Sequence, residues 1–196
     1  KRQYKKPPSE ISYFQGQDDD AFKTDGNITK KDIRALTLSE LKSFGSEVLW
    51  DIGAGSGSIS IEWCLGHPKN VAFAIERRRD RISLIKANRK KFGLQERLTV
   101  KHGSIETIAK DLPTPNAVFI GGGVTSDLIY QVIKALGKNS RLVINAVTLE
   151  SQALLLKKYK QFGGNLKKIN ISKAKPIGGK TIWSAQYNII QWSFKT

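Results

Sequence analysis

A short apolar run that breaks into three glycines at alternate positions, Val48-Leu49-Trp50-Asp51-Ile52-Gly53-Ala54-Gly55-Ser56-Gly57, constrains this chain more than any other stretch. The apolar part has the length of a buried strand and Ser58 to Leu65 read as a helix, so the glycines occupy a strand-to-helix turn. Glycine lets the backbone turn tightly there and approach a ligand that any β-carbon would block. The helix N-terminus beyond it adds unpaired N–H groups facing the same ligand, which makes a cradle for a nucleotide-type molecule.

A dinucleotide-binding fingerprint spaces its glycines G-x-G-x-x-G, whereas here the third glycine comes one position early, at Gly57. The D-x-G-x-G-x-G form, begun by Asp51, resembles the first motif of Rossmann-like S-adenosylmethionine-dependent methyltransferases. The alternatives at this point are a glycine-rich turn without a ligand and a variant NAD site. A second apolar run, Val71 to Ile75, ends on Glu76, nineteen residues past Gly57. An acidic side chain at that distance can accept hydrogen bonds from both hydroxyls of an adenosine ribose.

Strands and helices alternate from residue 48 to 162. Helices are expected at 79–92, 126–136 and 149–162, and strands at Leu98 to Lys101, Ala117 to Ile120 and 140–147. That order predicts an α/β fold with a mostly parallel sheet covered on both faces, and two last strands near 166–173 and 186–194 add an antiparallel edge. Ahead of it, Thr29-Lys30-Lys31-Asp32 matches a capping box that opens a helix to about Ser43, with Ile33, Leu36 and Leu41 inward and Gly45 as the stop. Residues 1–24 lack periodicity and read as a linker or N-terminal arm, leaving 25–196 as the domain. Gly121-Gly122-Gly123 after the fourth strand keeps side chains out of the space beyond the sheet edge, where ligands of open α/β sheets bind. The connection from Lys175 to Trp183 is longer than a tight hairpin needs and reads as a basic flap over that space.

With one cysteine, Cys64, and two histidines, His67 and His102, neither a disulfide framework nor a thiolate or His-rich metal site is expected. No apolar stretch is long enough to span a bilayer and no signal-peptide pattern is visible, which points to a cytoplasmic protein. The formal net charge of +16 predicts attraction to a polyanion. Nucleic acid, a small substrate rich in carboxylates and a merely solvated basic surface all remain open on that ground. An exocyclic-nitrogen base methyltransferase carries an Asn/Asp-Pro-Pro-aromatic motif where this chain has Ile120-Gly121-Gly122-Gly123, and a cytosine carbon-5 enzyme needs a cysteine nucleophile, whereas Cys64 lies on the helix after the glycine loop. Both nucleic-acid readings lose weight.

The runs Asp25 to Ala35, Leu49 to Trp63, Phe119 to Gly123 and Asn145 to Ser151 together closely resemble the decarboxylating precorrin methyltransferases of cobalamin biosynthesis. The resemblance extends from about Asp19 to the C-terminus. It is to the form found as the C-terminal half of a bifunctional enzyme whose N-terminal half is a separate methyltransferase. It implies a Rossmann-like class I methyltransferase fold with a seven-stranded sheet and S-adenosylmethionine as methyl donor. It also implies methylation of carbon 15 of a carboxylate-rich precorrin with loss of carbon dioxide from the ring C acetate, and a homotetramer. No nucleic acid or membrane partner is expected, and an RNA or tRNA methyltransferase using the same cofactor site is the alternative.

Carried over position by position, the resemblance assigns the cofactor to Thr29, Asp51, Gly53, Ala54, Gly55, Ser56, Gly57, Glu76, Ser104 and Ile105. It offers Arg34, Asn145 and Glu150 as candidates on the substrate side. His102 is a candidate proton-transfer group, and the flap lysines Lys175 and Lys180 are expected to meet substrate carboxylates.

Overall fold

A computed structural model of the protein describes residues 15–196; residues 1–14 of the expected arm lie outside the described residues. The elements in order are α1 (Lys31–Leu41), β1 (Val48–Ile52), α2 (Ser58–Gly66), β2 (Val71–Glu76), α3 (Arg79–Lys91), β3 (Leu98–His102), α4 (Ile105–Ile108), β4 (Ala117–Ile120), α5 (Ser126–Ala135), β5 (Arg141–Ala146), α6 (Leu149–Phe162), β6 (Asn165–Ile169), β7 (Ser172–Ile177), β8 (Lys180–Ala185) and β9 (Ile189–Lys195). Seven strands form one sheet in the order β3-β2-β1-β4-β5-β9-β6, and β7 pairs with β8 alone. Among the described residues no helix is long and apolar enough to cross a membrane.

Side chains alternate across each strand, and that period divides the core in two. Leu49, Ala117, Phe119 and Val143 face one way into a cluster with α1, α2 and α3. Trp50, Ile52, Val118, Ile120, Leu142 and Ile144 face the other way, against α5, α6 and Trp192. The strands β1, β4 and β5 are buried on both faces, as a doubly covered parallel sheet requires, whereas the edge strand β3 is largely open.

Several expectations are corrected. The antiparallel strand is not the edge: β9 runs antiparallel to both β5 and β6, so it sits one place in and the edge strand β6 again points along β5. The expected basic flap is itself a hairpin, β7 with β8, closed by Gly178 and Gly179 at φ +48° and +77°. Two successive residues in the left-handed region give a two-residue turn whose twist suits the strands, which a run of that length concealed. The hairpin stands out from the body and is tied to α1 by Lys173 and Asp32 at 2.6 Å.

Thr29 is not the N-cap of α1. The cap is Lys30, without a side-chain cap bond, and the N–H of Lys31 donates instead to the carboxylate of Asp19 at 2.9 Å. A charge from twelve residues upstream thus serves the helix N-terminus. The helix ends at Leu41 on a left-handed Lys42, and Leu36 is exposed. Gln17 and Phe22, placed in the expected linker, are both buried, and Phe22 stacks on Phe92 at 5.2 Å. The stretch from Gln17 on therefore packs against the body of the fold.

Candidate active site

The carboxyl ends of β1, β2, β4 and β5 open into one crevice of about 1020 Å³. Single small ligands occupy sites of roughly 300–1,000 Å³, so this space accommodates a cofactor and part of a second molecule. One wall is the glycine turn. The Gly53 and Ala54 N–H groups both bond the Ile75 carbonyl, at 2.9 and 3.2 Å, which clamps the turn to the end of β2. Gly53, Gly55 and Gly57 have φ of +72°, +59° and +77°, a region closed to most side chains.

Space alone would admit a β-carbon at two of the three: on Gly53 it would stand 3.4 Å from the Gly122 carbonyl and on Gly55 3.6 Å from that of Asn27, both ordinary contacts, so the backbone angle is what requires glycine there. One on Gly57 would press on Ile85 at 3.0 Å. Gly57 accordingly does not line the crevice; it lets α2 pack on α3.

Glu76 is 5% exposed and its carboxylate is oriented by the backbone: Oε2 accepts from the Gly55 N–H at 3.0 Å, and Oε1 from those of Arg77 and Arg78 at 2.8 and 3.0 Å. One lone-pair site remains on Oε2 for a ligand hydroxyl. Ser56 contributes a buried hydroxyl with no hydrogen-bond partner on the same wall. Ser104 and Ile105 line the crevice beside Glu76. A cradle only glycine fits, an oriented carboxylate and an orphan hydroxyl suit an adenosine-containing cofactor.

Asp51 lies behind the turn rather than in the crevice. It is 1% exposed; its Oδ2 accepts from the N–H and hydroxyl of Ser60 at 3.2 and 2.7 Å, and its Oδ1 has no partner. Burial pushes its carboxyl up to about 6, against the pull of the Ser60 bonds and with some help from the Glu76 charge. In the folded state the acid form is thus favoured above the unfolded value of about 3.9. Its contribution to stability is complete below that value and is lost as pH rises towards 6, because the unfolded chain releases the proton first. Thermal midpoints measured across this window are expected to fall more steeply for the parent than for Asp51→Asn; equal slopes would refute the assignment.

The segment Gly26 to Lys30 forms a further wall beside the glycine turn, and the floor is Gly121 to Gly123. A β-carbon on Gly122 or Gly123 would meet nothing within 4 Å, so these glycines border open space. Asn145 and Val147 at the end of β5, with Gln186, Tyr187 and Ile189 beyond the hairpin, complete that end. Lys30, Arg77, Arg78 and Arg81 line the rim, each also paired at the surface with a carboxylate, Asp19, Glu106, Asp80 and Asp25 in turn, whereas Lys175 and Lys180 on the hairpin do not line it. The chain reading missed Lys30, Tyr187 and the three arginines. Lys30 sits inside the Asp25 to Ala35 run, whereas Arg77 and Arg78 fall between β2 and α3, and Arg81 is one of several basic residues on α3.

Two of the substrate-side candidates, Arg34 and Glu150, and the proton-transfer candidate His102 stand elsewhere. Arg34 is fully buried: Nε donates to Glu62 at 2.5 Å, Nη1 to Asp19 at 3.1 Å and to the Thr29 carbonyl, and Nη2 to the Gln17 carbonyl. Its donors are taken up by the protein, so it anchors the wall segment instead of facing the crevice. Glu150 is an exposed residue in the first turn of α6, outside the lining. His102 is exposed and bonded through Nε2 to the Arg77 carbonyl at 3.0 Å, again outside it. Thr29 and Asn145 do line the crevice. Cys64 is buried within α2, and burial pushes its thiol up to about 12, which removes it as a nucleophile.

A family model described as the precorrin methyltransferase domain matches residues 20–196. A Sinorhizobium protein named precorrin-6Y C(5,15)-methyltransferase [decarboxylating] is 46% identical over 180 residues, covering 91% of this chain and 43% of its own length. This chain thus spans less than half of that relative. A Methanococcus maripaludis protein named probable cobalt-precorrin-6B C(15)-methyltransferase (decarboxylating) is 32% identical over 158 residues, covering 80% of this chain and 84% of its own. Among solved structures, the C-terminal domain of precorrin-6Y C5,15-methyltransferase from Rhodobacter capsulatus superposes with a TM-score of 0.90 at 44% identity, over 95% of this chain and all of that one. The sheet order, the glycine turn with Glu76 and these likenesses agree, and the chain belongs to the precorrin methyltransferase domain family.

Proposed function

We propose that this chain transfers the methyl group of S-adenosylmethionine to carbon 15 of a precorrin macrocycle and promotes loss of carbon dioxide from the ring C acetate. The observation that carries the reading is a crevice continuous from Glu76 to Asn145 with a glycine floor and a basic rim. The archaeal relative supports assigning both steps to this domain, because its name carries only the C(15) activity and the match takes in 84% of it.

The cofactor supplies an electrophilic methyl on a sulfonium. A meso carbon in a conjugated, enamine-like tetrapyrrole is already nucleophilic, so the protein's task is to hold donor and acceptor in line, and no strong base is required. Glu76 and the glycine turn fix the adenosine side, and Gly121 to Gly123 leave room for a flat, bulky acceptor. In the decarboxylation the C–C bond to the carboxylate breaks, its electron pair passes into the macrocycle, and a proton is then taken up. A crevice that sheds water from the carboxylate favours this step. Lys30, Arg77, Arg78 and Arg81 are the groups we assign to the remaining substrate carboxylates. A charge of +16 gives them a long-range field that steers such an anion inward.

Incubation with a precorrin bearing the ring C acetate and methyl-labelled cofactor is expected to yield a product that has gained the label and lost carbon dioxide. Gain of the label without that loss removes the decarboxylation. Methylation of tRNA in preference to the precorrin would install the RNA alternative, recognised by affinity that falls steeply with salt.

We further propose a homotetramer in the cytoplasm and a place beside a second methyltransferase in a longer protein. The hairpin supports assembly, since Ile177, Ile182 and Trp183 on it are exposed. Sedimentation velocity is expected to return a tetramer, and a monomer refutes it. Recovery of the protein in the membrane fraction would count against the location.

A further inference from the structure

The crevice end of β5 carries a buried polar cluster that neither cofactor binding nor core packing uses. Asn145 on β5 stands directly opposite Gln191 on β9 in the sheet register, and both side chains turn towards Thr37 on α1. Thr37 and Gln191 are fully buried and Asn145 is 8% exposed, on the crevice wall. The Asn145 Nδ2 donates to Thr37 Oγ1 at 2.8 Å; the Gln191 Nε2 donates to Asn145 Oδ1 at 3.0 Å and to Thr37 Oγ1 at 3.2 Å.

The direction of these bonds is set by one proton. The Thr37 hydroxyl gives its hydrogen to the Ile33 carbonyl at 2.8 Å, so it can only accept from both amides. Rotating the Asn145 amide by half a turn would place its oxygen against an oxygen with no proton to give, and its nitrogen against the Gln191 nitrogen. The observed orientation is the one that avoids both conflicts. It has a cost, because Gln191 Oε1 is buried with no partner, and a buried unsatisfied acceptor is expensive. Core packing alone gives no reason to keep such a cluster where apolar side chains would fit.

We infer that Thr37 and Gln191 are positioning residues that lock the Asn145 amide so that its remaining N–H is offered to an acceptor oxygen of the substrate, of carboxylate or carbonyl class. The inference rests on the reaction proposed above. Asn145 lies one residue past the last β4–β5 pair, Ile120 with Ile144, next to the glycine floor and across the sheet from Glu76 on β2. Its partner is therefore on the acceptor and not on the adenosine. With Oδ1 occupied by Gln191, the group it suits is an acceptor and not a cation.

The test is a double-mutant cycle read in turnover of the precorrin, with cofactor affinity and thermal midpoint measured on every variant. Thr37→Val keeps the shape and removes the acceptor, and it is expected to lower turnover about tenfold, the worth of one hydrogen bond. Gln191→Met is expected to do the same, and Thr37→Ser to restore parental turnover. In an Asn145→Ala background Thr37→Val is expected to cost nothing further, with cofactor affinity unchanged throughout. A Thr37→Val loss that persists undiminished in that background, or parental turnover in Thr37→Val, overturns the inference while leaving the proposed reaction intact. Absence of precorrin turnover in the unsubstituted protein overturns both.

Discussion

Replacing Arg34 by methionine is expected to destabilise the protein by about 3–5 kcal/mol, the range found when one partner of a buried ion pair is removed. For a domain of this size that lowers the thermal midpoint by roughly 10 °C. The reason lies in what is left behind. Glu62 is 2% exposed and would be left without its cation, with the N–H groups of Gly16 and Gln17 at 2.6 and 3.0 Å as its remaining partners. The guanidinium also lies over the Phe22 ring at 4.8 Å and holds the Thr29 carbonyl. Its loss thus loosens the stretch whose continuation, Gly26 to Lys30, walls the crevice. Cofactor affinity should fall along with stability. The double variant Arg34→Met with Glu62→Gln is expected to recover part of the loss, because it removes the stranded charge. Chemical denaturation of the three variants checks this, and a single Arg34 variant within about 0.5 kcal/mol of the parent, the usual range of surface substitutions, would refute a structural role.

Glu76→Ala is expected to weaken cofactor binding by about 1–3 kcal/mol, roughly ten- to a hundredfold in affinity, through lost hydrogen bonds to a charged acceptor. Glutamine should not rescue it. Both carboxylate oxygens accept backbone N–H groups, Oε2 from Gly55 and Oε1 from Arg77 and Arg78. An amide nitrogen at either place would oppose a donor with a donor, so Glu76→Gln also disturbs the glycine turn. Calorimetry with S-adenosylmethionine, run well below each variant's thermal midpoint, separates binding from unfolding. Parental affinity in both variants would move the ribose away from Glu76.

The parts of the site legible in the chain are those in which neighbours in sequence are neighbours in space. Val48 to Gly57 form strand and turn from their own apolar run and glycines. Glu76 follows at a distance set by one helix and one strand, and Gly121 to Gly123 follow directly on β4. Arg34 illustrates the limit. The resemblance offers it as a group for the substrate, and only packing against Glu62, 28 residues away, shows that its charge is spent internally. The capping box failed for a related reason: Thr29 and Asp32 have the right types and spacing, yet Asp19 reaches the helix N-terminus first. The basic run of 175–183 looked like a flap because pattern gives length and charge but not whether a strand folds back on itself.

The sequence by itself determined the α/β alternation, the glycine turn and the place of Glu76 at the end of β2, since these depend on backbone conformations that glycine and apolar periodicity dictate locally. The tertiary structure alone decided which charges face the crevice and which are buried in pairs, how the N-terminal stretch walls the crevice, and how the Asn145 amide points. Those outcomes depend on contacts between residues separated by as many as 154 positions, as Thr37 is from Gln191. Side chains so far apart meet only once the sheet has assembled, and desolvation then fixes which partners they must keep.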